Sequence, residues 1–241
     1  MLFHRVHQKN TDIINVRLSA IKLKTQISLT TLDKERLVPY IPESSIDVVC
    51  NWLNTYPVQL RISRDRSTKS GDFRPSDRIT PYHRISVNHN LNKYAFLITL
   101  THEYAHLITW NTYKRKAKPH GDEWRNNYRT LIFCLIEKNV FPKEIEHALI
   151  KIFVKNGEPA HASEFNLTMV LSTYDTGPDT AIQFLDELVF DTIFAIRNGK
   201  VFRKGEKIRT RYKCYCLNNK RWYLISPAMR VKAISNALDF S

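Results

Sequence analysis

The chain is short of several things, and each shortage narrows what it can be. Only six of its 241 residues are glycine and four are cysteine. So little glycine leaves no room for a collagen-like repeat or a low-complexity linker. Four cysteines give no disulfide framework. Cys50 and Cys134 sit in apolar runs and read as small buried hydrophobes. Cys214 and Cys216, two apart, would share one face of a strand. Two thiols are too few for a four-cysteine zinc ribbon. No apolar run approaches the length of a membrane span, and the first residues lack the apolar stretch of a secretion signal. The expected setting is therefore a reducing cytoplasm, with no membrane partner. Acidic residues are also scarce, at 23 against 37 Lys and Arg, for a formal net charge of +14. Such a surplus favours polyanions, nucleic acid first among them. The bland alternative is a soluble protein with a basic surface.

What remains is ordinary for a globular chain: 43% hydrophobic and 25% charged residues. Residues 1–35 show no clear period and are read as an extension. Pro42-Glu43 opens a helix that carries Ile46, Val48, Val49, Trp52 and Leu53. Val58–Ser63 alternates like a half-buried strand, and Tyr82–Asn88 is a second strand. Gly71-Asp72 between them reads as a turn. Apolar residues then recur at helical spacing from Leu91 to about Thr112. Further helices are expected from Pro119 towards Lys138 and from Pro142 to about Lys155. Gly157–Ala162 reads as a boundary, Phe165–Tyr174 as a short helix and Thr176–Asp179 as a turn. From Leu188 the texture changes to short strands at 191–196, 200–202, 209–216 and 221–225, with turn material at Arg197–Lys200 and Asn218–Arg221.

Chemistry concentrates in His102-Glu103-Tyr104-Ala105-His106. Residues four apart on a helix lie one turn apart on the same face, so both imidazoles can reach one ion. Glu103 cannot point the same way, but it can reach a water on that ion and serve as general base. Two solvated surface histidines would be the plain explanation, yet the helix around them is strongly apolar. A catalytic zinc keeps three protein ligands. His120, between Pro119 and Gly121, is the favoured third, with Gly121 expected to supply the sharp turn; Glu123 is the rival. His83, His89, His147 and His161 read as ordinary polar histidines. Tyr113 and Arg115 are the nearest residues that could steady a developing oxyanion.

His102-Glu103-x-x-His106, a short basic loop and His120-Gly121-x-x-Trp124 together resemble the SprT-like family, which includes the Spartan proteases that act on proteins crosslinked to DNA. The resemblance spans about residues 37–155 and takes in Arg66, Lys69, Gly71 and Asp72 ahead of the helix. It implies an α+β zincin domain, with a β-hairpin, the motif helix and following helices. It also implies one Zn2+ per chain on His102, His106 and His120, Glu103 as catalytic base, and DNA-bound protein substrates. Many SprT proteins end in a four-cysteine ribbon; here the tail is closer to the small β module of shorter bacterial forms. The expected layout is an extension at 1–35, the SprT-like domain at 36–156, a connecting segment at 157–187 and a small basic β-rich module at 188–241.

That module carries Arg203, Lys204, Lys207, Arg209, Arg211 and Lys213, with Phe202 and Tyr212 interleaved. On alternating strands this reads as a basic, ring-bearing face suited to nucleic acid, or else as a solvated strand face with both rings in the core. Two functions follow. One is a zinc metalloprotease acting on DNA-associated proteins. The other is a nucleic-acid-binding or transcription-associated protein with a structural or weakly active zinc site.

Overall fold

The computed structural model describes residues 31–66, 69–153, 160–175, 182–196 and 198–234. The chain divides into two compact units, residues 1–146 and 147–241. The expected extension at 1–35 lies almost wholly outside the described residues.

In the first unit the elements run α1 (Thr31–Leu37), α2 (Ile46–Leu53), β1 (Val58–Ser63), β2 (Gly71–Arg74), β3 (His83–Asn88), α3 (Lys93–Tyr113) and α4 (Asp122–Glu137). The segment at Pro42 is a 3-10 turn over Glu43–Ser45 and not yet α-helix, because the Ser45 N–H and Oγ both bond back to the Pro42 carbonyl. The strands form one sheet in the order β1-β3-β2, with β1 parallel and β2 antiparallel to β3.

Gly71-Asp72, read from the sequence as a turn, instead begins β2, with Gly71 opposite Val87 and Asp72 opposite Ser86. The chain reaches that register because Asn88, 3% exposed, holds the preceding segment. Its Nδ2 donates to the carbonyls of Arg66 and Lys69, and its Oδ1 accepts from Arg66 Nε at 2.8 Å. A polar side chain that buried needs such partners, and it has them.

Alternation gives the sheet two different faces. Ile85 and Val87 of β3 are fully buried on the side where α3 packs, while Arg84 and Ser86 point the other way. α3 is apolar almost all round, the pattern of a central helix. Phe96, Leu97, Leu100, Tyr104, Ala105 and Leu107 are buried along it. Asn92 caps its start by accepting from the Ala95 N–H at 2.9 Å. Two polar ties fix its rotation. The Tyr104 hydroxyl donates to the Trp52 carbonyl of α2 at 2.5 Å, with the two rings stacked. Asn127 of α4 donates to Thr109 Oγ1 at 2.9 Å.

α5 (Lys143–Phe153) contains the division point. The second unit continues with α6 (Ala160–Ser172), which starts earlier than the helix expected at Phe165. The turn expected at Thr176–Asp179 lies outside the described residues, as does the first half of the boundary expected at Gly157–Ala162, whose residues 160–162 belong to α6. Then come β4 (Ile182–Phe184), β5 (Ile193–Ala195), β6 (Val201–Arg203), β7 (Lys207–Ile208), β8 (Arg211–Cys216), β9 (Arg221–Ile225) and β10 (Arg230–Ala233). The sheet order is β4-β10-β5-β6-β8-β7, with β9 on β8. β6 and β7 both pair with β8, at its two ends. The strands expected at 191–196, 200–202 and 221–225 are present. That at 209–216 starts later, since Arg209, at φ 54°, turns the β7–β8 hairpin. β4, β7 and β10, two to four residues each, were not read from the sequence. Phe194, Phe202, Cys214, Cys216 and Val231 fill the core, so the two thiols share one inward face as expected.

Candidate metal centre

α3 presents His102 and His106 one turn apart, and the loop before α4 brings in His120. His120 Nε2 lies 3.1 Å from Nε2 of both His102 and His106. Among the described residues these three form the group able to hold a metal ion, and Glu123, the rival third ligand, is not part of it. Nitrogens each about 2.0–2.1 Å from one tetrahedral zinc sit about 3.3 Å apart. The observed spacing fits that donor set. Without an ion the same spacing allows N–H···N bonds between His120 and the other two rings, with donor and acceptor set by the tautomers.

Burial, then the neighbouring His106 and His120, hold His102 down to about 3. Burial and His120 hold His106 down to about 4. Both rings are therefore free of the extra proton at neutral pH, the state a metal ligand needs.

The sharp turn beside the third ligand is taken by His120 itself. Its φ is +56°, in the left-handed region, whereas Gly121 has an ordinary φ of −69°. Histidine tolerates this conformation better than most residues, though it costs about 1 kcal/mol or more. Gly121 matters for space: an added Cβ would lie 3.0 Å from the Lys118 carbonyl oxygen.

Trp124, one turn into α4, was legible only as a residue of the motif. In the fold its ring stands 4.6 Å from His102, 5.2 Å from His106 and 4.6 Å from His120, centroid to centroid. Tyr128 stacks behind it at 5.0 Å. The two rings wall the imidazoles and fix their directions.

Glu103 is buried at 8% exposure. Burial first, and then the charge of Asp72, push its carboxyl up to about 7, against the opposing pull of Lys69, Arg66 and the Phe73 backbone N–H. Asp72 itself is drawn upward by burial, but Lys69 at 2.6 Å and Arg74 at 2.8 Å hold it below the usual carboxylate range. Gly71 lies hard against the general-base candidate: a Cβ there would meet Glu103 Oε1 at 2.6 Å and Thr99 Cγ2 at 2.7 Å. Neither the role of Gly71 nor that of Asp72 follows from sequence spacing, because both act across the sheet–helix contact.

Other residues singled out from the sequence fall elsewhere. Tyr113 ends α3, about 10 Å along its axis from His106, and Arg115 follows in the 3-10 turn Lys114–Lys116. Among the described residues no hydrogen bond or ion pair joins either to the histidines. His83 is a buried structural histidine whose Nδ1 accepts from the Ser76 N–H at 2.9 Å.

In the second unit the expected basic face needs correction. Lys204 is 4% exposed and donates to the Leu188 carbonyl, with Tyr212 beneath its ammonium. It pins the fold and offers nothing to a ligand. Lys207 is paired with Asp186 at 3.0 Å. Phe202 belongs to the core and Tyr212 packs against it. The outward row is a different one. Arg203, Tyr215 and Trp222 stand side by side on β6, β8 and β9, with Lys213 and Leu224 paired in the next row. Trp222 is 58% exposed, 5.0 Å from the Tyr215 ring and 4.9 Å from Lys213 Nζ. Gly205 fits beneath because its missing Cβ would strike the Lys213 carbonyl and touch the Trp222 ring. Arg211 completes this face, and Arg209 stays in the turn.

No helix among the described residues is long and apolar enough to cross a membrane. Comparison with curated proteins and with solved structures gives no match. Residues 45–134 match the model of the SprT-like family, and across that span, which holds the three histidines and Glu103, the chain carries a SprT-like, metalloprotease-like domain.

Proposed function

We propose that the chain is a zinc-dependent peptidase acting on proteins associated with nucleic acid. The observation that carries the first half is the convergence of three imidazole nitrogens beside a buried carboxylate one residue along the same helix. His102, His106 and His120 would hold the ion. When bound, zinc supplies Lewis-acid polarisation and an acidified water. The residues of the chain do the rest. Glu103, poised by burial near neutrality, accepts a proton from the attacking water and returns it to the leaving amine. The Phe73 N–H and the close backbone of Gly71 fix where that carboxylate stands. Trp124 and Tyr128 keep the ligand rings from turning to solvent. A purely structural ion would have no use for a costly buried carboxylate, and that favours the enzyme over the structural-site reading.

The second half is supported by the Arg203–Tyr215–Trp222 row with Lys213 and Arg211. Exposed rings among cations suit base stacking and phosphate contact. The test is cleavage of a nucleic-acid-bound protein by the zinc-loaded chain. Glu103→Gln is expected to keep its zinc and lose at least about a hundredfold in rate. Undiminished cleavage by that variant would exclude the mechanism.

A further inference from the structure

The sheet of the first unit leaves one face uncovered by α3, and that face is lined by guanidinium groups. The strand register fixes the pattern. Gln59, Arg84 and Arg74 form one row across β1, β3 and β2, and Arg61, Ser86 and Asp72 form the next. The chain leaving β1 adds Arg64 and Arg66, and the result is a groove of about 720 Å³.

Three observations set this groove apart from a solvated strand face. Arg66 is laid along it by bonds to Asn88 Oδ1 at 2.8 Å and Ser86 Oγ at 3.1 Å, yet its second terminal nitrogen is buried without a partner among the described residues. Arg84 Nε is likewise buried and unpaired, although its terminal nitrogen reaches Asp77 at 3.2 Å. Buried donors without acceptors are costly; both are closed to solvent and meet an anion only after a small shift of their side chains, whereas the exposed guanidinium groups of Arg61, Arg64 and Arg74 meet it directly. Finally, five arginines line the groove against Asp65 and Asp72, and Asp72 is already held by Lys69 and Arg74.

The geometry points to a binding track for the phosphodiester backbone of a nucleic acid, running over the open face of β1, β3 and β2. Among the described residues no aromatic side chain lines the groove, so they offer nothing on which to stack a base. It would grip phosphates without reading sequence. An elongated polyanion fits better than a compact one, because the cations are spread over three strands and a loop. The track is separate from the Trp222 face, and it borrows from the proposed function only the choice of polyanion.

The experiment measures binding of a fluorescent, mixed-sequence single-stranded oligonucleotide to the full chain across a salt series. Arg61→Ala/Arg64→Ala removes two exposed groove cations. Arg125→Ala/Lys138→Ala removes equal charge from the exposed surface of α4. Trp222→Ala tests the other face independently. Each phosphate contact contributes about 0.7 to the slope of log K against log salt on a single strand. The groove pair is expected to lower that slope by about 1.4 and to weaken binding at least fivefold, both beyond the α4 pair and with Trp222 intact. Equal behaviour of the groove and α4 pairs would overturn the inference, even if Trp222→Ala abolishes binding. Tripolyphosphate competing as well as the oligonucleotide, charge for charge, would also overturn it, because the groove would then be a small-anion site.

Discussion

At the scale of single residues, the site depends on groups forced into expensive states by their surroundings. Glu103 carries an elevated carboxyl because it is buried near Asp72, while His102 and His106 carry depressed imidazoles because they are buried near each other and His120. These shifts have opposite consequences for stability in the metal-free chain. Unfolded histidine titrates near 6.5, and the folded values of about 3 and about 4 lie below it. Between those limits the unfolded chain binds more protons, so the histidine contribution is present above 6.5 and drains away as pH falls. Glu103 runs the other way, from 4.5 unfolded to about 7 folded. Its contribution is present below 4.5 and is lost as pH rises through 7. From these three groups the metal-free melting temperature peaks at about pH 7, where the two histidines' release in the unfolded chain balances that of Glu103 in the folded one. Metal-free Glu103→Gln should melt a few degrees above the wild type at pH 8, as calorimetry would show; a lower melting point would mean that the carboxylate is not strained.

Gly71 gives the sharpest residue-level test of position. Alanine there must push Glu103 or Thr99 aside, since the contacts at 2.6 and 2.7 Å leave no room. Gly71→Ala is expected to cost about 1–3 kcal/mol of stability and about tenfold or more in cleavage rate. Zinc affinity should change little, because the three atoms nearest the new methyl belong to Glu103 and Thr99 and not to a histidine. A variant that loses zinc and activity together would place Gly71 in the ligand support instead.

At the scale of elements, the site is made by two helices, the loop between them that carries His120, and one edge strand. α3 supplies two ligands and the base, α4 supplies the aromatic wall, and β2 supplies the backbone against the base. Different side chains should therefore fail in different ways. Tyr104→Phe removes one of two donors to the Trp52 carbonyl, which still accepts from the Thr55 N–H at 3.1 Å, and should cost about 0.5–1.5 kcal/mol, with zinc retention unchanged. Trp124→Ala should cost about 3–5 kcal/mol and also loosen the three imidazoles it contacts, lowering zinc affinity. Chemical denaturation alongside a zinc-chelator competition separates the two outcomes. Equal zinc affinities in the two variants would remove Trp124 from its positioning role.

The same elements show what a sequence can tell. α3 and its ligand pair were legible because helical periodicity and the four-residue spacing are local properties. His120 was legible as a ligand, but its left-handed backbone was not, because Gly121 next door is the residue that usually takes such a turn. Gly71-Asp72 looked like a turn because the reason for that glycine, a glutamate 32 positions later, is visible only in three dimensions. In the tail, alternation correctly gave β8 and β9. It did not say which aromatic residues face outward, since rings occupy both faces of those strands. Phe202, offered by charge patterning as a ring on the basic face, lies in the core, while Trp222, given no role there, is exposed; Lys204, one cation among many in the sequence, proved to be a buried pin.

At the scale of the whole molecule, the excess of positive charge has two structural outlets, the arginine-lined groove of the first unit and the Trp222 face of the second. The metal centre belongs wholly to the first unit, inside the span that matches the SprT-like family. Everything proposed for catalysis rests on that centre holding an ion. The most direct measurement is zinc per chain after exhaustive dialysis against a weak chelator. The account predicts about one zinc for the wild type and for Glu103→Gln, and almost none for His120→Ala. A wild-type chain that retains no more zinc than His120→Ala would contradict it.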